Sequence, residues 1–197
     1  MIATIKNFLP STGTGSIAQG REGPWRAAGS GERRMAATLH TSLGDIKVEI
    51  FCDRAPRTAE NFLALAASDY YSDTVFHRNI KGFMLQGGDP TGTGKGGESI
   101  YGKHFQDEIS DELKFTARGI LGMANKGPHT NGSQFFITYT KLPHLNLKYP
   151  IFGKVIAGWE TLDVMEKMPV GPKDRPEEPI VLQGCTIHAN PFADITA

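Results

Sequence analysis

From residue 35 onward, apolar and polar positions follow regular periods; before it they follow none. The stretch TLHTSLGDIKVEIF places Ile46, Val48 and Ile50 on one face and predicts a β-hairpin turning at Gly44-Asp45. RTAENFLALAAS sets Ala59, Phe62, Leu63 and Ala66 at helical spacing just after Pro56, a residue suited to a helix start. FMLQGG, GILGMAN, SQFFITY and PIFGKVI predict short strands bounded by Gly, Pro and Asn. WETLDVMEKM offers Trp159, Leu162 and Met165 as the inner face of a second helix, and PIVLQGCTIHA closes with a strand. Many short strands with one early and one late helix predict an antiparallel barrel or sandwich capped by helices. No internal repeat is visible.

Residues 1–34 differ in kind. STGTGSIAQGREGPWRAAGSGERR is rich in Gly, Ser and Arg, which predicts a disordered N-terminal extension. It carries Lys6, Arg21, Arg26, Arg33 and Arg34 against only Glu22 and Glu32. The opening MIATIKNFL is too broken for a secretory signal, while an organelle transit role stays open. The division expected is therefore an extension at 1–34, one domain at 35–192, and a short tail at 193–197.

Composition narrows the classes. At 197 residues and 39% hydrophobic content, the chain suffices for one domain with a sizeable core. Formal net charge is zero with both signs interspersed, which argues against a nucleic-acid-binding patch. No run of 18 apolar residues occurs, so no membrane-spanning helix is expected. Cys52 and Cys185 form no C-x-x-C and sit in apolar runs, which predicts two buried, reduced thiols. The six histidines are scattered without an H-x-x-x-H pair, so no metal site and no cofactor is expected.

One motif invites a nucleotide reading. Gly92, Gly94 and Gly97 spell G-x-G-x-x-G. A dinucleotide fingerprint must open a helix, yet GESIYGKHFQDE has no helical period. The P-loop pattern fails too: Gly96 follows Lys95 where Ser or Thr is needed, and Asp89 stands at the leading glycine position. The glycines instead suit a backbone that turns sharply or approaches a ligand closely. Around them stand Arg78, Phe83, Met84, Gln86, Asn125, Gln134 and Phe136. Period-2 alternation puts Met84 with Gln86, and Gln134 with Phe136, on shared faces. Two readings stay open from periodicity: a ligand groove of Met, Phe, amides and one Arg, or an apolar core with solvated polar neighbours. Asn131-Gly132-Ser133 fits a glycosylation sequon, but no route to secretion is evident, and Asn190-Pro191-Phe192 reads as a chain-terminal turn.

FHRNIKGFMLQGGD, GTGKGGESIYG and MANKGPHTNGSQFFIT resemble the signature segments of the cyclophilins, the peptidyl-prolyl cis-trans isomerases. The likeness spans about residues 37–192. LGDIKVEIFCDRAPRTAENFLALAASDYY, HLNLKYPIFGKV and TIHANPF resemble the single-domain branch called peptidyl-prolyl isomerase-like 3. The resemblance implies a mainly β fold: a closed eight-stranded antiparallel β-barrel, packed with side chains, capped by two α-helices, with the site in an outer groove. It implies Arg78 as the catalytic arginine, and Phe83, Met84, Phe136 and Leu145 as the pocket for the substrate proline. Gln86 and Gln134 correspond to polar contacts, Ala124 and Asn125 to backbone that pairs with the peptide, and Gly94 to the wall of a neighbouring subsite. His144 stands where many members have Trp, Tyr149 where many have His, and Lys126 where a small residue is usual. Both His144 and Tyr149 fall on the substrate-binding wall, so weak cyclosporin binding is expected. The implied partners are proline-containing peptides and proteins, with spliceosome components for this branch; the implied setting is nuclear or cytoplasmic, as a monomer, without direct nucleic-acid or membrane binding. Two function classes follow: an isomerase with turnover, or a module that only holds proline segments.

Overall fold

The computed structural model describes residues 35–188. The expectations for residues 1–34 and 193–197, and for the turn at Asn190-Pro191-Phe192, lie outside the described residues.

β1 (Met35–Thr41) and β2 (Gly44–Ile50) form the expected hairpin, with Met35 opposite Ile50 and Thr41 opposite Gly44. The turn is Ser42-Leu43, two residues before the expected Gly44-Asp45. The Thr41 hydroxyl explains the shift: it donates to the Gly44 carbonyl and accepts from the Leu43 amide, closing the turn early. Ile46, Val48 and Ile50 are buried as predicted.

The remaining strands are β3 (Thr74–Val75), β4 (Arg78–Ile80), β5 (Met84–Gly87), β6 (Ile120–Met123), β7 (Phe135–Thr138), β8 (Ile151–Ala157) and β9 (Val181–His188). All pair antiparallel in one sheet of order β3-β9-β1-β2-β8-β6-β7-β5-β4. This corrects the expected eight strands to nine. Among the described residues no ladder joins β3 to β4, so the sheet curls without a full hydrogen-bonded seam. Its outermost strands are instead joined by the chain itself, through Phe76-His77, while a bridge between Val75 and Asp89 ties β3 to the chain just after β5. Phe76 and His77, buried in succession, lie outside both strands and separate β3 from β4.

α1 (Pro56–Ala67) begins at its proline and buries Ala59, Phe62, Leu65 and Ala66; Leu63, expected inward, is half-buried. Ala55 offers no side-chain cap, and Glu108 caps from a distance, accepting from the amides of Arg57 and Thr58 and from the Thr58 hydroxyl. α2 (Trp159–Lys167) buries Leu162 and Met165, whereas Trp159 is 38% exposed and lies across Gly119.

Successive strand residues serve two apolar regions. Leu85, Leu121, Met123, Phe135 and Ile137 enter the central core with Phe62, Tyr71, Phe76 and Phe152. Met84, Ile120 and Phe136 point to the other face, where Leu113, Phe115, Leu142 and Ile151 cover them. This part of the sheet is thus apolar on both faces, and the outer face builds the site. Neither cysteine forms a disulfide, and both are half-buried rather than fully buried; burial, aided by Asp69, pushes the Cys185 thiol up to about 12. No described helix is long and apolar enough to cross a membrane.

Candidate functional site

The apolar end of the site is floored by Met84 of β5 and Phe136 of β7, each only 4% exposed. Phe136 stacks on Phe115 at 5.5 Å and meets the Tyr149 ring edge-on at 5.7 Å. Phe83, Leu145, Tyr149 and Ala124 form a half-buried rim. His144 is exposed and stacks on Phe83, with centroids 5.9 Å apart and planes within 13°. His144 and Leu145 lie on a short 3-10 turn, Pro143–Leu145. That segment is stapled down by Leu142 N donating to Phe115 O and by Phe115 N donating to Asn146 Oδ1. The apolar cluster thus has a floor of buried residues and a rim of half-buried ones, the arrangement expected of a ligand groove.

The polar end follows along the same strands. Arg78 faces Gln86 across the β4–β5 ladder, and Gln86 faces Phe136 across the β5–β7 ladder. Gln86 Nε2 donates to Gln134 Oε1 at 2.9 Å, and Gln134 Nε2 donates to Gly96 O at 2.8 Å. The Arg78 side chain is 44% exposed, and its Nε lies 3.5 Å from Asp174 Oδ2. So long and open a pair holds the guanidinium only loosely. Beside it, His77 is buried with Nδ1 unpartnered; burial lowers its pKa, the pull of Asp89 notwithstanding.

The glycine loop wraps a carboxylate of its own chain. Asp89, wholly buried, accepts from the Thr91 amide and hydroxyl, from Gly94 N at 2.7 Å and from Gly96 N at 3.1 Å. Burial alone would raise its pKa, but these bonds outweigh it and hold the carboxyl below its ordinary value. Gly94 has φ +78°, and an added Cβ would sit 3.1 Å from the His77 ring. The residue that defeated the P-loop pattern is thus the loop's anchor.

Gly94 and the two glutamines also line a cavity of about 90 Å³ with Ala124 and Asn125. The Ala124 amide already donates to Gln134 O, so pairing by this stretch falls to the Ala124 carbonyl and the Asn125 peptide group. Asn125 Nδ2 donates to Asn131 Oδ1 and, at 3.4 Å, to Asp107 Oδ1. The structure thus brings the candidate site residues named from the sequence onto β4, β5, β7 and the loops beside them. It adds Phe115, Leu142, Asp89, Asp174 and His104, which no periodicity marked. Among the described residues no group of three or more His, Cys, Asp or Glu could hold a metal ion.

Residues 36–187 match the family model of the cyclophilin type peptidyl-prolyl cis-trans isomerases, and the chain belongs to that family. It is a peptidyl-prolyl cis-trans isomerase by the standing of its relatives. Peptidyl-prolyl cis-trans isomerase CYP18-1 of Arabidopsis thaliana is 70% identical over 159 residues, covering 81% of this chain and 99% of that one. Peptidyl-prolyl cis-trans isomerase-like 3 of Homo sapiens is 64% identical over 160 residues, with coverage of 81% and 99%. A crystal structure of a cyclophilin type isomerase from Cryptosporidium parvum superposes with a TM-score of 0.78 at 56% identity, covering 80% of this chain and 99% of that chain. A second structure of that protein was determined in the presence of the dipeptide Ala-Pro.

Proposed function

We propose that the groove binds proline-containing protein segments and that Arg78 speeds rotation about the X–Pro bond. Rotation breaks amide resonance over a barrier of about 18–20 kcal/mol. No nucleophile is needed. At the twisted transition state the proline nitrogen becomes pyramidal and regains a lone pair. A donor aimed at that nitrogen binds the transition state better than either planar form, which lowers the barrier. Arg suits the task, being permanently charged with rigid, directional N–H groups.

Met84 and Phe136 floor the pocket for the ring, with Phe83 and Leu145 as walls and His144 and Tyr149 at its edge. Gln86 and Gln134 supply polar contacts, Ala124 and Asn125 supply backbone pairing, and Gly94 borders the next subsite. The observation that carries this reading is the ladder pairing of Arg78 with Gln86, one step beyond Met84. It sets a half-exposed cation beside an apolar floor. The resemblance to the isomerase-like 3 branch supports action within spliceosome-associated assembly, in the nucleus or cytoplasm. A protease-coupled assay on a proline peptide, native protein beside Arg78→Ala, tests the chemistry.

A second reading is a binding module that holds proline segments in such an assembly with little turnover. The Asp174 carboxylate favours it, since it competes with substrate for the Arg78 guanidinium. Equal, near-background rates for native and Arg78→Ala protein, with peptide binding retained, would select it.

A further inference from the structure

The cavity beyond the glutamine pair differs in chemistry from the apolar pocket. Gln86, Gln134 and the backbone of Gly96 and Gly97 form its inner wall, while Lys95, Lys126 and His104 stand on its lining as exposed residues. Lys126 Nζ donates to Lys95 O at 3.2 Å, so the ammonium is held across the rim and keeps further donors for a ligand. Among the described residues no carboxylate lines the cavity. Asp89 and Asp107 are engaged elsewhere, and Glu98, which follows the lining Gly97, is exposed. Asp89 is wholly buried under the loop, and Asp107, at 11% side-chain exposure, accepts from Asn131 and from the His129 amide. The lining of the rim therefore carries two lysines and no carboxylate.

The groove's direction follows from Arg78. It faces Gln86, the cavity side of Met84, across the ladder. On the isomerase reading, which this step rests on, Arg78 donates to the proline nitrogen. The chain preceding proline leaves from that nitrogen and so runs toward Gln86 and the cavity. Two strand residues advance about 6.6 Å, so the side chain roughly two residues before the proline reaches the cavity. A volume of about 90 Å³ is roughly three waters' share of liquid, room for a carboxylate on a short stem.

We propose that this cavity selects substrates carrying an acidic side chain, Asp or Glu, about two residues before the proline. Gln86 and Gln134 offer amides at its inner end, and Lys126 and Lys95 offer the charge at its rim.

The test uses three peptides identical except for Glu, Ala or Lys two residues before proline. Exchange spectroscopy reads isomerisation, and shift titration in the same samples reads affinity. The native full chain is expected to favour Glu over Lys by about tenfold, with Ala between, since each rim charge contributes a few-fold and the Lys peptide reverses its sign. In 1 M NaCl the ratio should fall to within about twofold. Lys126→Glu, which sets a carboxylate against Lys95, should bring the ratio close to one, and Lys95→Ala should shrink it. Equal affinities and rates for all three peptides would overturn the selection while leaving the isomerase reading intact. Charge-ordered affinities without accelerated exchange would support the selection and sink the isomerase reading instead.

Discussion

The His144 imidazole lies over the Phe83 ring, centroids 5.9 Å apart and planes within 13°. His144 is thus stacked on one residue of the proposed pocket and neighbours another, Leu145, on the same turn. Imidazole offers less apolar face than the indole found here in many cyclophilins, and it is costlier to desolvate. Losing several tens of Å² of apolar contact, at roughly 25 cal/mol per Å², costs on the order of 1–2 kcal/mol. Cyclosporin should therefore inhibit the native protein weakly and His144→Trp about tenfold or more better. Turnover of a short proline peptide, which reaches less of that wall, should change less. Equal drug titration curves for the two proteins would place the cyclosporin contact away from His144.

Arg78 is half-exposed, and its one ion pair is 3.5 Å long, so its removal should hardly touch stability. Arg78→Ala should keep the native circular dichroism and melting temperature yet lose about 100- to 1,000-fold in isomerase rate. That loss corresponds to about 2.7–4 kcal/mol for a preorganised donor. Arg78→Lys, keeping charge but not the fork, should recover only a small part. A protease-coupled assay gives the rates; a loss under tenfold would move the donor elsewhere.

Glu108 lies far along the chain from α1, yet it receives three hydrogen bonds from Arg57 and Thr58 at the helix start. No residue adjoining the helix supplies a cap. Glu108→Ala should cost about 1–2 kcal/mol. For a domain of this size that lowers the melting point by roughly 2–8 °C. Glu108→Gln, which keeps an acceptor but not the charge, should lose less. Thermal unfolding of the three proteins checks the order.

Strand alternation made much of this visible in the sequence. Met84 and Gln86 share a face because β5 is regular, and Gln134, just before β7, joins the face of Phe136 through its bond to Gln86, the residue opposite Phe136. Where regularity fails, so does the reading. Buried Phe76 and His77 stand side by side, which hid the strand carrying Arg78. Leu113 and Phe115 alternate with polar residues in DELKFTARG, yet no strand forms there, and only tertiary packing turns them into the site's wall. Trp159 has the helical spacing of a core residue but covers Gly119 at the surface, because Leu162 and Met165 already fill the inner face. Resemblance to a known family named the pocket residues from local motifs. It could not show that Asp89 organises the glycine loop, since that follows from bonds made only when the loop closes on it.

Asp89 gives the last prediction. Its carboxylate is wholly buried and receives hydrogen bonds from Thr91, Gly94 and Gly96, which hold its pKa below the ordinary value of 3.8. A group depressed in the folded state adds stability that is fully present above its unfolded pKa. That stability fades as pH falls through the folded pKa, because the proton must displace the bonds that favour the anion. Urea unfolding of the native protein should therefore show a fall in stability below pH 4 to which Asp89 contributes. Asp89→Asn should be less stable at pH 7, by about 1–3 kcal/mol, since an amide accepts through one oxygen only and brings donors of its own toward the loop amides. The gap between the two proteins should narrow as the pH drops below 4. The same variant should loosen the Gly94–Gly97 wall and so weaken the preference for a Glu-bearing peptide before its effect on an Ala-bearing one. A gap that stayed constant from pH 7 to pH 3 would mean that Asp89 is not held as an anion, and that the loop is shaped by its glycines alone.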